Sequence, residues 1–206
     1  MKYSAFLILS IILLLSGCIA TENQINMKKT NIMEGKKILM IIAPENFRDE
    51  EFLEPRKIFE NHGLEVDVAS KGVSEAKGML GARVKVDLDI KDVNAEDYGA
   101  IVFVGGSGSS IYYNDELALN IAREASEKGK IVAAICIAPG ILANAGILKG
   151  KKATIWDSGS GEYIDILERG GAQYTGNDVE RDGNIITANG PHAAREFGEK
   201  ILEALS

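Results

Sequence analysis

Lys130-Ile131-Val132-Ala133-Ala134-Ile135-Cys136-Ile137-Ala138-Pro139-Gly140 decides the fold. The unbroken apolar run Ile131 to Ile135 fits a strand buried on both faces, as in a parallel sheet. Pro139 and Gly140 then mark a sharp turn into a helix that ends at about Ala145, before Gly146. Cys136 falls at the junction. A side chain at a strand-to-helix turn is held at the edge of a sheet, where nucleophiles are often carried.

Two more runs repeat the pattern, Ile38 to Ala43 and Ala100 to Val104. Helical spacing covers Glu50 to Asn61, Asp115 to Lys128, and about His192 to Leu205, with His62-Gly63 and Gly129 as stops after the first two. Alternation predicts strands at Glu65 to Ala69 and Ala82 to Val86, and Ala153-Thr154-Ile155 reads as a short strand. Arg181-Asp182-Gly183-Asn184 reads as a hairpin turn. The β-α-β order with short connections indicates an α/β layered fold with a mostly parallel sheet. Such sheets bind ligands beyond the carboxyl ends of their strands. Three of those ends carry Pro44-Glu45-Asn46-Phe47, Gly105-Gly106-Ser107-Gly108-Ser109 and Cys136.

The 206-residue chain is 46% hydrophobic with a net charge of −7, which argues against a nucleic-acid or anionic-lipid surface. Its two histidines, His62 and His192, lie far apart, so no metal is expected, and no cofactor motif is present. Residues 1–17 resemble a secretory signal: Lys2 gives positive charge, and Ala5 to Leu15 form an apolar stretch too short to span a bilayer. Leu15-Ser16-Gly17-Cys18 resembles a bacterial-type lipobox, which would put lipid on Cys18 and hold the protein at the cell membrane, on its extracytoplasmic face. An ordinary signal peptide, or a start at Met27 or Met33, is the alternative. Residues 18–36 read as the lipidated cysteine and a flexible tether, and residues 37–206 as one domain. Cys136 is then the only free thiol.

A nucleophilic thiol needs hydrogen-bond donors and positive potential to favour its thiolate. Cys136 precedes helical N–H groups that supply both, and the Ile137 N–H could hold an oxyanion. The competing reading is a core cysteine at a strand end. Glu51 tips the balance. On a helical wheel it falls between Pro55 and Ile58, inside the apolar face formed with Phe52 and Phe59. A carboxyl on a buried stripe needs a partner or its proton, and the plain alternative is a solvated first-turn acid on a helix distorted by Pro55. Gly105 to Ser109 allows close backbone approach but lacks the spacing of a phosphate loop. His192 is a possible base for Cys136, or a surface residue of a first helical turn. Trp156 is a possible pocket wall, or a packing residue.

Together, Ala133-Ala134-Ile135-Cys136-x-Ala138-Pro139, Gly105-Gly106 and Phe47-x-Asp49-x-Glu51-x-x-x-Pro55 resemble the PfpI family and the related Parkinson-associated protein deglycases, of the class I glutamine-amidotransferase-like superfamily. Gly146 to Lys152 and Val179 to Thr187 match as well, so the resemblance spans about Lys37 to Leu205. It implies a flavodoxin-like three-layer sandwich, a homodimer or larger assembly, Cys136 as nucleophile, Glu51 as its hydrogen-bond partner, and Gly106 and Ile137 as oxyanion-hole amides. PfpI-type proteases have histidine directly after the cysteine, where this chain has Ile137. The deglycase branch has one near the position of Trp156. Neither imidazole is present.

The expected function is hydrolase chemistry on small reactive carbonyls, or on proteins they have modified. One rival is a non-enzymatic redox sensor or holding chaperone working through Cys136. Another is a cysteine peptidase or amidase, for which the sequence supplies no dependable base.

Overall fold

The structure, a computed structural model, describes residues 36–206. The signal, lipidation and tether expectations, Cys18 included, fall outside the described residues.

In chain order the elements are β1 (Lys37–Ile41), β2 (Glu45–Phe47), α1 (Asp49–Asn61), β3 (Glu65–Ser70), β4 (Glu75–Gly78), β5 (Arg83–Lys85), β6 (Leu88–Asp89) and β7 (Ala100–Phe103). Then follow α2 (Glu116–Glu127), β8 (Ile131–Ile135), α3 (Pro139–Asn144), β9 (Lys152–Ala153), α4 (Glu162–Arg169), β10 (Gln173–Tyr174), β11 (Val179–Asp182), β12 (Ile185–Ala188) and α5 (Ala194–Leu205).

The central sheet has seven strands in the order β11-β12-β8-β7-β1-β3-β6. Its internal pairs are parallel; only the edge strand β11 runs antiparallel, to β12. The three apolar runs of the sequence become β1, β7 and β8, adjacent at the middle of the sheet and buried on both faces. Alternate residues feed two cores. Leu39, Ile41, Ile101, Phe103, Val132 and Ala134 join one cluster with Leu119 of α2 and Ile141 of α3. On the other face α1 packs on α5, burying Phe52, Phe59, Phe197 and Ile201. The result is a three-layer α/β sandwich with a mostly parallel central sheet, as the patterning predicts.

Local details follow sequence chemistry. The acidic first turn of α1, Asp49, Glu50 and Glu51, suits the positive end of the helix dipole. His62 closes the helix, with its ring 2.8 Å from the Ile58 carbonyl oxygen. Gly198 lets α5 approach α1 closely: a Cβ there would stand 2.9 Å from the Pro55 Cα. The last helix begins two residues later than its periodicity predicts, because Pro191–Ala193 first form a 3-10 turn. The β11–β12 hairpin forms as expected, with Gly183 at φ 67°.

This topology sets up a site. Strand β8 lies between β7 and β12, and β7 lies beside β1. The carboxyl ends of β1, β7, β8 and β12 therefore bring Phe47, Gly105-Gly106, Cys136 and Gly190-Pro191 to one edge.

Candidate active site

Cys136 takes a φ of 62°, a left-handed conformation that an L-residue adopts at a cost of about 1–2 kcal/mol. The strain is held from both sides. The Cys136 N–H donates to the Ala188 carbonyl at 2.9 Å, and its carbonyl accepts the Trp156 N–H at 2.9 Å. The next N–H groups turn at once into α3. That helix is only six residues long, so the individual amides, not a long dipole, act on the sulfur. The backbone N–H groups of Gly106 and Ile137 both donate toward it and favour its anion. Those are the two amides expected of an oxyanion hole.

Glu51 is fully buried, as the helical wheel predicts, so the first-turn solvated reading fails. Neither carboxyl oxygen completes a hydrogen bond of normal geometry. Even so, the Cys136 thiol and the Gly105 N–H are close enough to favour its anion. Burial dominates and raises the carboxyl to about 8, against the pull of Cys136 and of the Arg48 guanidinium. Burial also pushes the Cys136 thiol up to about 12, with the negative potential of Glu51 adding to the effect. The resting pair at neutral pH is thus a carboxylic acid beside a thiol.

The glycines after β7 make this pairing possible. A Cβ on Gly105 would stand 2.4 Å from Glu51 Oε2 and 2.5 Å from the Cys136 Cβ. Gly106 has φ 91°, and a Cβ there would collide with the Arg48 nitrogen at 2.4 Å. Ser109, fully buried, donates its hydroxyl to the Gly106 carbonyl at 2.8 Å and fixes the loop.

A cleft of about 230 Å³ opens over the thiol, and Arg48, Met79, Trp156, Tyr163 and Pro191 wall it in. Trp156 belongs to the cleft, as one of its two sequence readings has it. His192 does not. The cleft-facing residue of the Gly190–Ala193 turn is Pro191. The His192 ring is instead exposed, with Nε2 3.1 Å from Asp178 Oδ1. Of the two candidate pocket residues, Trp156 stands and His192 is corrected to a surface partner of Asp178.

Two contributors, Tyr113 and Asp49, have no role assigned from sequence. Tyr113 donates its hydroxyl to the Ile137 carbonyl at 2.7 Å and packs on Gly140, bracing the turn after Cys136. Asp49, nearly buried, accepts the Leu80 N–H at 2.8 Å and the Ala82 N–H at 2.7 Å, pinning the turn that carries Met79. An acid two residues before Glu51 was a visible signal for Asp49. Tyr113 had none, since its partner is remote in sequence. Among the described residues no cluster of three or more His, Cys, Asp or Glu side chains is placed to hold a metal ion. No helix among them is long and apolar enough to cross a membrane.

Comparison with known proteins gives the family. The family model described as "DJ-1/PfpI family" matches residues 36–204. An uncharacterized protein of Methanocaldococcus jannaschii is 46% identical over 206 residues, covering 100% of this chain and 98% of the relative. Deglycase PfpI of Pyrococcus furiosus is 36% identical over 158 residues, covering 75% of this chain and 90% of the relative. A ThiJ/PfpI domain protein from Brachyspira murdochii, solved by crystallography, superposes with a TM-score of 0.79 at 34% identity, covering 83% of this chain and 98% of that one. The chain belongs to the DJ-1/PfpI family.

Proposed function

We propose that this protein is a cysteine-dependent hydrolase that acts on small reactive carbonyl compounds, or on proteins they have modified. The observation that carries the reading is the strained Cys136 beside the buried Glu51, with the Gly106 and Ile137 N–H groups on the sulfur side. Relatives named deglycase support it.

For an α-oxoaldehyde the steps balance within the site. The Glu51 carboxylate, a minor form below pH 8, takes the thiol proton. The sulfur bonds to the aldehyde carbon as the C=O π pair moves onto oxygen, beside the two amides. Glu51 returns the proton to that oxygen, giving a hemithioacetal. Glu51 then takes the hydrogen of that carbon as a proton, the C–H pair forming a C=C bond while the hemithioacetal hydroxyl proton passes to the neighbouring carbonyl oxygen. Glu51 returns its proton to the neighbouring carbon as the C=O bond reforms at the sulfur-bearing carbon, which leaves a thioester beside a hydroxyl. Water hydrolyses the thioester to a 2-hydroxy acid and frees the thiol. No external oxidant or reductant enters.

A peptidase would need an imidazole to protonate a leaving amine. His62 and His192 are engaged at Ile58 and Asp178. A peroxide sensor would need a resting thiolate, which burial of Cys136 disfavours.

We further infer that Cys18 tethers the domain to the membrane's outer face, on the strength of the Leu15-Ser16-Gly17-Cys18 motif. Lipid labelling that is lost in Cys18→Ala supports the tether, and labelling that survives it refutes it. Self-association is also expected, as the family resemblance implies, and the exposed apolar Leu53 and Leu80 lie outside the cleft and are open to such a contact.

The function is tested with methylglyoxal and the purified domain. Cys136-dependent formation of lactate is expected. Equal turnover by wild type and Cys136→Ser would sink the proposal.

A further inference from the structure

The wall of the cleft says more about the substrate than the catalytic pair does. Trp156 is the only tryptophan in the chain and remains 38% exposed, although most large apolar side chains are buried. Its indole rests against Tyr163 with ring centroids 5.7 Å apart and planes tilted by 55°. Its backbone N–H is bonded to the Cys136 carbonyl at 2.9 Å, so the aromatic wall has a fixed relation to the thiol. Met79, 44% exposed, lines the same cleft with a polarizable thioether that suits aromatic rings. Pro191 and Ile137 add further apolar lining.

The charges in the cleft are already answered. Arg48 is bonded by Glu50 at 2.8 and 3.1 Å. Glu51 keeps its proton until about pH 8. A charged substituent entering here would lose water and meet only an Arg48 already paired with Glu50. A flat apolar one would cover Trp156, and aromatic contacts of that kind contribute about 0.5–1.5 kcal/mol beyond the area they bury.

We propose that this cleft selects an uncharged carbonyl compound with an aromatic substituent, which lies along Trp156 while its carbonyl group faces Cys136. The inference rests on the carbonyl reading above and deepens it by naming the substrate class. Trp156 is the specificity-determining residue.

The test separates binding from chemistry. The Cys136→Ser protein is titrated by calorimetry with two unreactive α-hydroxyketones, 2-hydroxyacetophenone and hydroxyacetone. The aryl compound is expected to bind at least about tenfold more tightly. In Cys136→Ser/Trp156→Ala that preference is expected to fall below about threefold, and Trp156→Phe is expected to keep most of it. Trp156→Leu, which preserves apolar bulk, serves if the alanine variant does not fold. Similar affinities for the two ketones would overturn the proposal. So would a preference that survives loss of the aromatic ring in Trp156→Ala or Trp156→Leu. These outcomes are independent of turnover. Methylglyoxal conversion with no aryl preference defeats only the specificity claim. Aryl preference with no Cys136-dependent turnover defeats only the enzymatic reading.

Discussion

Glu51 and Cys136 face each other across Gly105, and both hold their protons at neutral pH. Burial is the largest cause for each, raising the carboxyl to about 8 and the thiol to about 12. Two buried acids in contact lose their protons in separate steps, because the first charge opposes the second. The first loss gives the Glu51 anion that can take the thiol proton. In the proposed reaction the pair is loaded below pH 8 and gains its base as the pH approaches that value, so a turnover rate that climbs from pH 6 to pH 8 is expected.

The same shift predicts how stability depends on pH. The Glu51 carboxyl titrates near 4.5 when unperturbed and near 8 in the fold. Between those values the native state holds a proton that the unfolded chain has released. Stability from this group is therefore full below 4.5 and falls as pH rises toward 8, by on the order of 4 kcal/mol. Glu51→Gln removes the titration. Its urea midpoint is expected to gain on wild type steadily from pH 5 to pH 8.5. A constant difference between the two proteins across that range would refute the assignment.

Cys136 should alkylate slowly. At pH 7.5 iodoacetamide is expected to modify it at least about tenfold more slowly than a small free thiol, because its thiolate fraction is suppressed. The rate should keep rising above pH 9. Glu51→Gln removes the adjacent negative charge, so its profile is expected to move to lower pH. A wild-type plateau below pH 7, or no movement in the variant, would contradict the pairing.

The sheet was legible because its central strands are continuous apolar runs, which only a two-sided burial explains. Cys136, Glu51, Gly106 and Ile137 were legible for local reasons: a strand end, a helical wheel, a glycine pair and the residue after the turn. The cleft was not. Met79 reaches it through the Asp49 carboxylate, 31 residues apart from Leu80 in the chain by the bond that pins the turn. Tyr113 braces Ile137 across 24 residues. Sequence periodicity carries no record of such long-range contacts. His192 has two readings in the sequence, base or surface residue, and the surface one holds: the 3-10 turn directs Pro191 to the cleft and leaves the imidazole with Asp178.

Gly105 is predicted to tolerate no side chain. A Cβ would overlap Glu51 Oε2, the Cys136 Cβ and the Ile135 carbonyl oxygen, at 2.4, 2.5 and 2.6 Å. Two of these are parts of the rigid elbow and strand, so relief requires moving Glu51 and Cys136 apart. Gly105→Ala is expected to cost about 1–3 kcal/mol in urea unfolding and to abolish Cys136-dependent turnover even at temperatures where it stays folded. Unchanged stability together with full turnover would show that the loop is not a tight wedge.

Asp49 offers a test of the cleft wall that leaves the thiol and Glu51 in place. Its two oxygens take the Leu80 and Ala82 N–H groups, and its carboxylate fills the space where a Gly78 Cβ would stand, 2.4 Å from Oδ2. Asp49→Ala leaves both N–H groups without this acceptor, a loss of about 1.5–3 kcal/mol for each bond to a charged group, reduced where water can enter. The exposed turn can reach water, so the expected destabilisation falls below the roughly 3 kcal/mol that two such bonds at the low end would give, to about 2 kcal/mol in all. The functional consequence follows from Met79. Once the turn is released, Met79 no longer holds its side of the cleft, and substrate binding weakens while the Cys136–Glu51 chemistry persists. Asp49→Ala is therefore expected to raise KM several-fold with kcat within about twofold of wild type, and Met79→Ala to reproduce the KM effect without the loss of stability. A fall in kcat at unchanged KM would mean that Asp49 acts on Glu51 and Cys136 through α1 and not on the cleft through its turn.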